Sequence, residues 1–509
     1  MSPRAHLWTA SALLAGAVLL RAFPFVWWPG THFDSDQAVV GLMAKHIGEG
    51  RAWPLFYYGQ HYMLGVEAYL AAPVMWAVGP TVTALKAPLV LINIAAVLVL
   101  LRLLVRDARL SPWAALVAAL PIALPSAVMA ARTTEANGGN VEPWLYVLLL
   151  WCLRARPFAF GTLLGVGMLH REFTAYGAAA LIVMDALAWP GVASWRTYTA
   201  ARLRHWAIAG VAWVATRAVA SSLEPFASAF GTGTRGDDPA LLLAVVDTIG
   251  GRLCFAPETW PTRATLLVTD HLPRIVGGIG APLRDYGVLS GVFSGQPGLG
   301  AWVAALTVAG LASGAWHWWT RRPALPGGEP PHLGGYLVLV GGISTVVYGF
   351  ATCSDIRVET LRYNLLGIMV PIGAVTMALQ TWPQAAVRAG FGAAVALWCA
   401  LNTADVVALT REYQRARQPV DQRQAVADAL VARGIVSAQA PFRTAYHVTF
   451  LAQERVRVAA TDVSRIHAYV VEVGRTFGPT IADGACAGGE PLPSGQFLCR
   501  HAQTDADNR

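Results

Sequence analysis

The sequence predicts an α-helical polytopic membrane protein of about eleven spans, followed by a small α/β domain outside the bilayer. Three observations carry that prediction. The 509 residues are 55% hydrophobic and only 13% charged, where a soluble domain carries roughly 25% charge. Apolar runs recur from residue 7 to residue 409, separated by short polar connections. Beyond residue 409 the chain turns polar and mixes helix-like with strand-like spacing.

A spanning helix needs about 20 mostly apolar residues. The candidates are 7–28, 84–104, 112–131, 142–153, 158–169, 173–190, 205–221, 299–319, 333–351, 363–380 and 388–409, the fourth and fifth being short. The first run carries an early Arg4 and no small-x-small cleavage site, so it reads as a retained anchor. Arg21 lies inside it, either as a functional group or snorkelling to the headgroups. With the N-terminus cytoplasmic, Arg102, Arg106, Arg109, Arg154, Arg156, Arg196, Arg202, Arg204, Arg321, Arg322 and Arg388 fall on inner loops. Outer segments are then 29–83, 132–141, the His170-Arg171-Glu172 tip, 222–298, 352–362 and residues 410–509. The net charge of +8 is scattered between apolar runs and forms no stripe, which argues against a nucleic-acid partner.

The domains expected are a transmembrane catalytic domain over 1–409 and an exported α/β domain over 410–509. In the latter, Cys486 and Cys499 fit one disulfide in an oxidising compartment, or two thiols; Cys152, Cys254, Cys353 and Cys399 stand isolated. The long 222–298 loop reads as a lid or acceptor-binding loop, with plain disorder as the alternative.

The chemistry concentrates in the first outer segment. In FDSDQAVVGLMAKHI (33–47), Val39, Leu42, Met43, His46 and Ile47 recur at helical spacing, which predicts a short helix on the membrane surface with Asp36 in its first turn. Asp34 or Ser35 would cap that helix, and capping accounts for one acid and not two. An acid at a membrane boundary pairs with a cation or lines an aqueous cavity. Trp53, Phe56, Tyr57, Tyr58, Tyr62, Glu67 and Tyr69 follow, either as an interfacial aromatic belt or as a substrate wall. Glu67 on an otherwise apolar helix is the harder residue to explain by anchoring. Glu135, Asn137 and Glu142 occupy the next outer loop, mostly as solvated residues. Asp34-Ser35-Asp36 offers oxygen ligands for Mg²⁺ or Mn²⁺, but a lone D-x-D is a weak pattern; no obligatory cofactor is expected.

FDSDQAVVGLMAKHI with FYYGQHYMLGVEAYLAAPVMWAVGP resembles the first exported loop of the GT-C glycosyltransferases, near the protein O-mannosyltransferases and lipid A aminoarabinose transferases. LKAP (85–88), LRYNLLGIMVPIGAV (361–375) and the tail segment AYHVTFLAQERVRVAA resemble other parts of such proteins. The resemblance implies a GT-C fold in a bacterial inner membrane. It also implies transfer of one sugar from a polyprenyl-phosphate donor to a glycan, lipid or protein acceptor on the periplasmic face. Asp36 takes the place of the catalytic base, with Asp34 beside it, whereas Gln37 replaces a Glu common in the family. A leaving phosphate calls for arginine forks: Arg362 first, then Lys86 and Arg217. Glu67, Tyr58, Tyr62, His170, Arg171, Glu172 and Tyr363 are the expected substrate contacts, with an Arg–Glu pair closing a hairpin as the plain alternative at 170–172. The rival functions are a transporter or flippase of a lipid-linked sugar, which would show repeated halves, and an O-antigen polymerase or ligase.

Overall fold

A computed structural model describes residues 2–28, 32–60, 63–188, 195–227, 254–279, 282–285, 288–292, 295–321, 332–415, 422–476, 478–486, 488–493 and 495–499. Among these, seven helices are long and apolar enough to cross a membrane, and four shorter apolar helices accompany them.

Local chemistry sets the helix starts. Ser2 caps α1 (Pro3–Trp27), Thr81 caps α4 (Val82–Arg106), Ser111 caps α5 (Pro112–Ala123) and Ser126 caps α6 (Ala127–Arg132), each side chain accepting from an N–H three residues on. Between α1 and α4 lie α2 (Ser35–Gly48) and α3 (Val66–Val78). The single span expected over 112–131 is thus two helices, broken at the Leu124-Pro125-Ser126 turn, where Pro and a capping Ser end one helix and start the next. Then come α7 (Glu142–Leu153), α8 (Pro157–His170), a 3-10 turn (Glu172–Thr174), α9 (Ala175–Ala188) and α10 (Trp195–Ala227). Gly161 and Gly165 of α8 meet Ala209 and Thr216 of α10 so closely that a Cβ at Gly161 would lie 2.0 Å from the Ala209 carbonyl oxygen. Small residues let membrane helices approach in this way.

The expected lid over 222–298 falls partly outside the described residues. Its described part holds α11 (Trp260–Leu266), a π-turn (Leu267–His271), α12 (Leu272–Val276) and a hairpin of β1 (Pro282–Asp285) and β2 (Val288–Val292). Four helices complete the membrane part: α13 (Leu299–Arg321), α14 (Leu333–Phe350), α15 (Met369–Thr381), entered through a 3-10 stretch (Glu359–Ile368), and α16 (Ala385–Arg415).

The C-terminal part is a mixed sheet with three helices: α17 (Gln422–Ala432), α18 (Phe442–Leu451) and α19 (His467–Thr476). Its strands are β3 (Ser437–Ala440), β4 (Arg457–Ala460), β5 (Thr480–Ala482), β6 (Glu490–Pro491) and β7 (Phe497–Cys499), in the order β4-β3-β5-β7-β6. β3 runs parallel to β4 and β5, and β7 antiparallel to β5 and β6.

Two expectations change here. Cys486 and Cys499 are bonded, but Cys254 and Cys353 are not isolated: they form a second disulfide across 99 residues of sequence. And α2 does not lie free on a membrane surface. Small residues leave it a closely packed face, and the Phe450 ring of α18 comes so near that a Cβ on Gly41 would lie 2.5 Å from it. The C-terminal layer covers it.

Candidate active site

The polar connections meet at one end of the bundle, and α2 opens into that meeting point. Asp34 takes an extended backbone and its Oδ1 accepts the Gln37 N–H at 2.9 Å, so it is the N-cap. Burial, with Asp36 and Glu135 nearby, pushes its carboxyl up to about 6. Asp36, one step into the first turn, keeps 23% of its side chain exposed and has the Arg362 Nη1 3.7 Å from its Oδ2. The Tyr57 hydroxyl donates to the Asp36 carbonyl oxygen at 3.0 Å and lies 3.4 Å from Oδ1. Burial and the Asp36 charge hold that phenol well above the usual range, so it stays a proton donor.

Arg362 sits on the 3-10 stretch, which kinks at Asn364 (φ −128°, ψ 28°). The kink is held from three sides: Asn364 Oδ1 accepts from Ser344 at 2.9 Å and Thr345 at 3.3 Å, and Nδ2 lies 3.3 Å from His271 Nε2. Arg362 Nη2 donates to the Tyr363 hydroxyl at 3.4 Å, its guanidinium carbon lies 5.3 Å from the Tyr363 ring centre, and its buried Nε has no partner among the described residues. The turn before this stretch is fastened by Arg263, which donates to the Tyr348, Gly349 and Ser354 carbonyls, and by the Cys254–Cys353 bond.

The loop after α6 forms the neighbouring wall. Arg132 pairs with Glu135 at 2.7 Å, and Asn140 Nδ2 donates to the Arg132 carbonyl at 2.8 Å. Arg21, fully buried in α1, donates to Thr133 Oγ1 at 2.8 Å and to Asn93 Oδ1, so it does not snorkel to the headgroups. Gly138 (φ 85°) and Gly139 (φ 95°) adopt left-handed backbone that other residues rarely take. Their N–H groups donate to the two Glu67 oxygens at 2.7 and 2.8 Å. From the other side Arg171 Nη2 donates to the Asn137 carbonyl at 3.2 Å, and His170 Nδ1 lies 2.9 Å from the Tyr146 hydroxyl. The Glu142 side chain is buried beside this loop.

Of the residues expected from sequence, the structure gathers Asp34, Asp36, Arg362 and Tyr363 around one point. Lys86 is fully buried, with its ammonium donating to the Phe25 and His32 carbonyls, where it ties α4 to the α1–α2 connection. The oxygens of Glu67 are taken by backbone, and His170 and Arg171 brace the same loop. Glu172 lies in the 3-10 turn next to them. The Tyr58 hydroxyl meets His46 Nδ1 at 2.9 Å, on the side of α2 that faces the C-terminal layer. Arg217 is buried on α10 with its guanidinium carbon 5.4 Å from the Trp213 ring centre; among the described residues its Nε and Nη1 have no partner and no ion pair joins it to Asp36. Tyr62 lies outside the described residues. Sequence reasoning missed the roles of Tyr57, Glu135, Glu454 and Arg465. The first was visible as one aromatic of a run, whereas the last two lie some four hundred positions from the residues they touch and carry no local signal.

Among the described residues no three His, Cys, Asp or Glu side chains group as a metal site. The oxygens nearest Asp36 are engaged, Asp34 Oδ1 by the Gln37 N–H and Glu135 by Arg132 and Asn140.

No family model matches the chain, and no curated protein matches it. Among solved structures, the oligosaccharyltransferase of Archaeoglobus fulgidus in its apo form is 13% identical and superposes with a TM-score of 0.51 over 94% of this chain and 69% of its own. The same protein in complex with Zn and sulfate gives 13% and 0.49, over 90% and 62%. ArnT from Cupriavidus metallidurans bound to undecaprenyl phosphate gives 13% and 0.41, over 93% and 89%. The fold assignment rests on the first: over most of its length the chain shares the fold of that oligosaccharyltransferase.

Proposed function

We propose that the protein is a membrane glycosyltransferase that moves one sugar from a polyprenyl-phosphate donor to an acceptor on the exported face, with inversion. The observation that carries this reading is the meeting of Asp36 and Arg362, remote in sequence, at 3.7 Å beside Tyr57. In the reaction the acceptor O–H or N–H attacks the anomeric carbon, Asp36 takes the proton, and the bond from that carbon to the phosphate oxygen breaks. The electron pair leaves with the polyprenyl phosphate. A positioned base contributes about 10²- to 10⁴-fold, and the growing phosphate charge is met by a preorganised cation. Arg362 suits that task because one of its N–H faces is buried and unpartnered. A phosphate that draws Arg362 away from Asp36 also frees the carboxylate for the acceptor. Arg217 is proposed as a second phosphate contact along the lipid's path, on the ground of its unpartnered nitrogens. No step is assigned to a metal.

The site end of the bundle faces the periplasm in this reading, and the N-terminus the cytoplasm. Two disulfides at the site end support an oxidising compartment. Arg106, Asp107 and Arg154 cluster at the opposite end, as the positive-inside tendency expects. The test is transfer from a panel of polyprenyl-phosphate sugars by the protein in lipid nanodiscs, compared with Arg362→Ala. Transfer from one donor, with a raised donor Kd in the variant, supports the assignment. Unchanged donor affinity in Arg362→Ala refutes the phosphate role, and translocation of a labelled donor without transfer would make the protein a flippase.

A further inference from the structure

Helix α18 ends in two consecutive residues with left-handed backbone, Gln453 (φ 54°) and Glu454 (φ 62°), neither of them glycine. Such backbone is strained for L side chains and persists when surrounding contacts hold it. Here the N–H of Glu454 donates to the Thr449 carbonyl at 2.9 Å, and the turn aims the Glu454 carboxylate at α2.

Everything that carboxylate meets except Tyr469 belongs to α2 or the residues just after it. Oε2 accepts from Lys45 and from Arg51 Nη2; Oε1 accepts from Arg51 Nη1 at 3.3 Å, lies 3.1 Å from His46 Nε2 and accepts the Tyr469 hydroxyl at 2.7 Å. Its side chain is 4% exposed. Glu49 joins Lys45 at 3.0 Å and also pairs with Arg51, so two acids balance two cations. The other end of α2 is gripped by the same layer. The Phe33 ring packs on His447 and Phe450, with centroids 4.7 and 5.4 Å apart. Arg465 lies 5.7 Å over the Tyr57 ring, and its Nη1 donates to the Gly59 carbonyl at 3.3 Å. Tyr57 is the residue that bonds Asp36.

We propose that Glu454 is a positioning residue: by clamping Lys45, His46 and Arg51 it seats the C-terminal layer on α2 and fixes Asp36 in register with Arg362. The inference rests on the reading of Asp36 as the base. A buried carboxylate on a strained turn, whose partners apart from Tyr469 all lie at one end of α2, does not fit a role confined to the C-terminal fold. A misplacement of about 1 Å in a catalytic group can cost on the order of 100-fold in rate.

The experiment compares full-length wild type, Glu454→Gln, Arg51→Gln, the double variant and Glu472→Gln in nanodiscs. Glu472 pairs with Arg457 at the domain surface, away from α2, and serves as the control. Turnover with the polyprenyl-phosphate donor is read beside amide exchange. The expected result is a kcat lowered about 10- to 100-fold in both single variants. The donor KM should stay within about threefold, since ground-state binding is left intact. Exchange should quicken in residues 35–48, and the double variant should be no worse than either single, as members of one contact are non-additive. Unchanged kcat and exchange in Glu454→Gln overturn the proposal. So does a loss accompanied by exposure of β3 and β4, because Glu454 would then serve its own domain. If Asp36→Asn remains active while Glu454→Gln loosens α2, the reading of the base fails and the clamp stands.

Discussion

Replacing Glu67 by alanine is expected to release the loop that carries Glu135. Its two oxygens each accept one backbone N–H, from Gly138 at 2.7 Å and Gly139 at 2.8 Å, in a buried setting. Removing the acceptor strands two donors, each at a cost of about 1–3 kcal/mol, or about 2–6 kcal/mol together. Glu67→Gln keeps one oxygen and turns an NH₂ toward the other N–H, so about half of that loss is expected. The assay is thermal unfolding in nanodiscs alongside transfer kinetics. Glu67→Ala should melt well below wild type and lower kcat, with Glu67→Gln between the two. Wild-type stability in Glu67→Ala with a raised substrate KM alone would refute the anchoring argument and return Glu67 to the substrate wall.

Asp34 yields a pH-dependent prediction. Its carboxyl, held near 6 against an ordinary 3.8, makes the folded protein keep a proton that the unfolded chain has lost, so its ionisation opposes folding above pH 6. That opposition fades as pH falls toward 4. Asp34→Asn preserves a cap and should be the more stable form at pH 7.5 by up to about 3 kcal/mol, with the gap closing by pH 4; a gap independent of pH would contradict this origin. Cys254→Ala/Cys353→Ala should lower the unfolding midpoint, because cross-linking positions 99 apart removes about 3–5 kcal/mol of chain entropy from the unfolded state. It should also weaken donor affinity by loosening the turn before Arg362, and equal affinity with and without reductant would sever that link.

Much of the bundle was legible in the sequence because a span announces itself in continuous apolar composition, and α2 because Asp34 caps a helically spaced apolar run. The fate of the charged residues in apolar segments was not legible. Lys86 and Glu67 looked like substrate ligands, yet their partners are backbone carbonyls and N–H groups, which carry no sequence signature. Lys45 and Arg51 likewise read as an ordinary basic helix end until Glu454 arrives from the far end of the chain. Disulfide pairing followed the same logic: a separation of 13 was readable, one of 99 was not.

In the proposed reaction the carboxylate at position 36 takes the acceptor's proton. The decisive measurement is the single-turnover transfer rate of Asp36→Asn at saturating polyprenyl-phosphate donor, taken together with its donor Kd. The rate is expected to fall by about 10²- to 10⁴-fold with binding preserved. Transfer at the wild-type rate would contradict it.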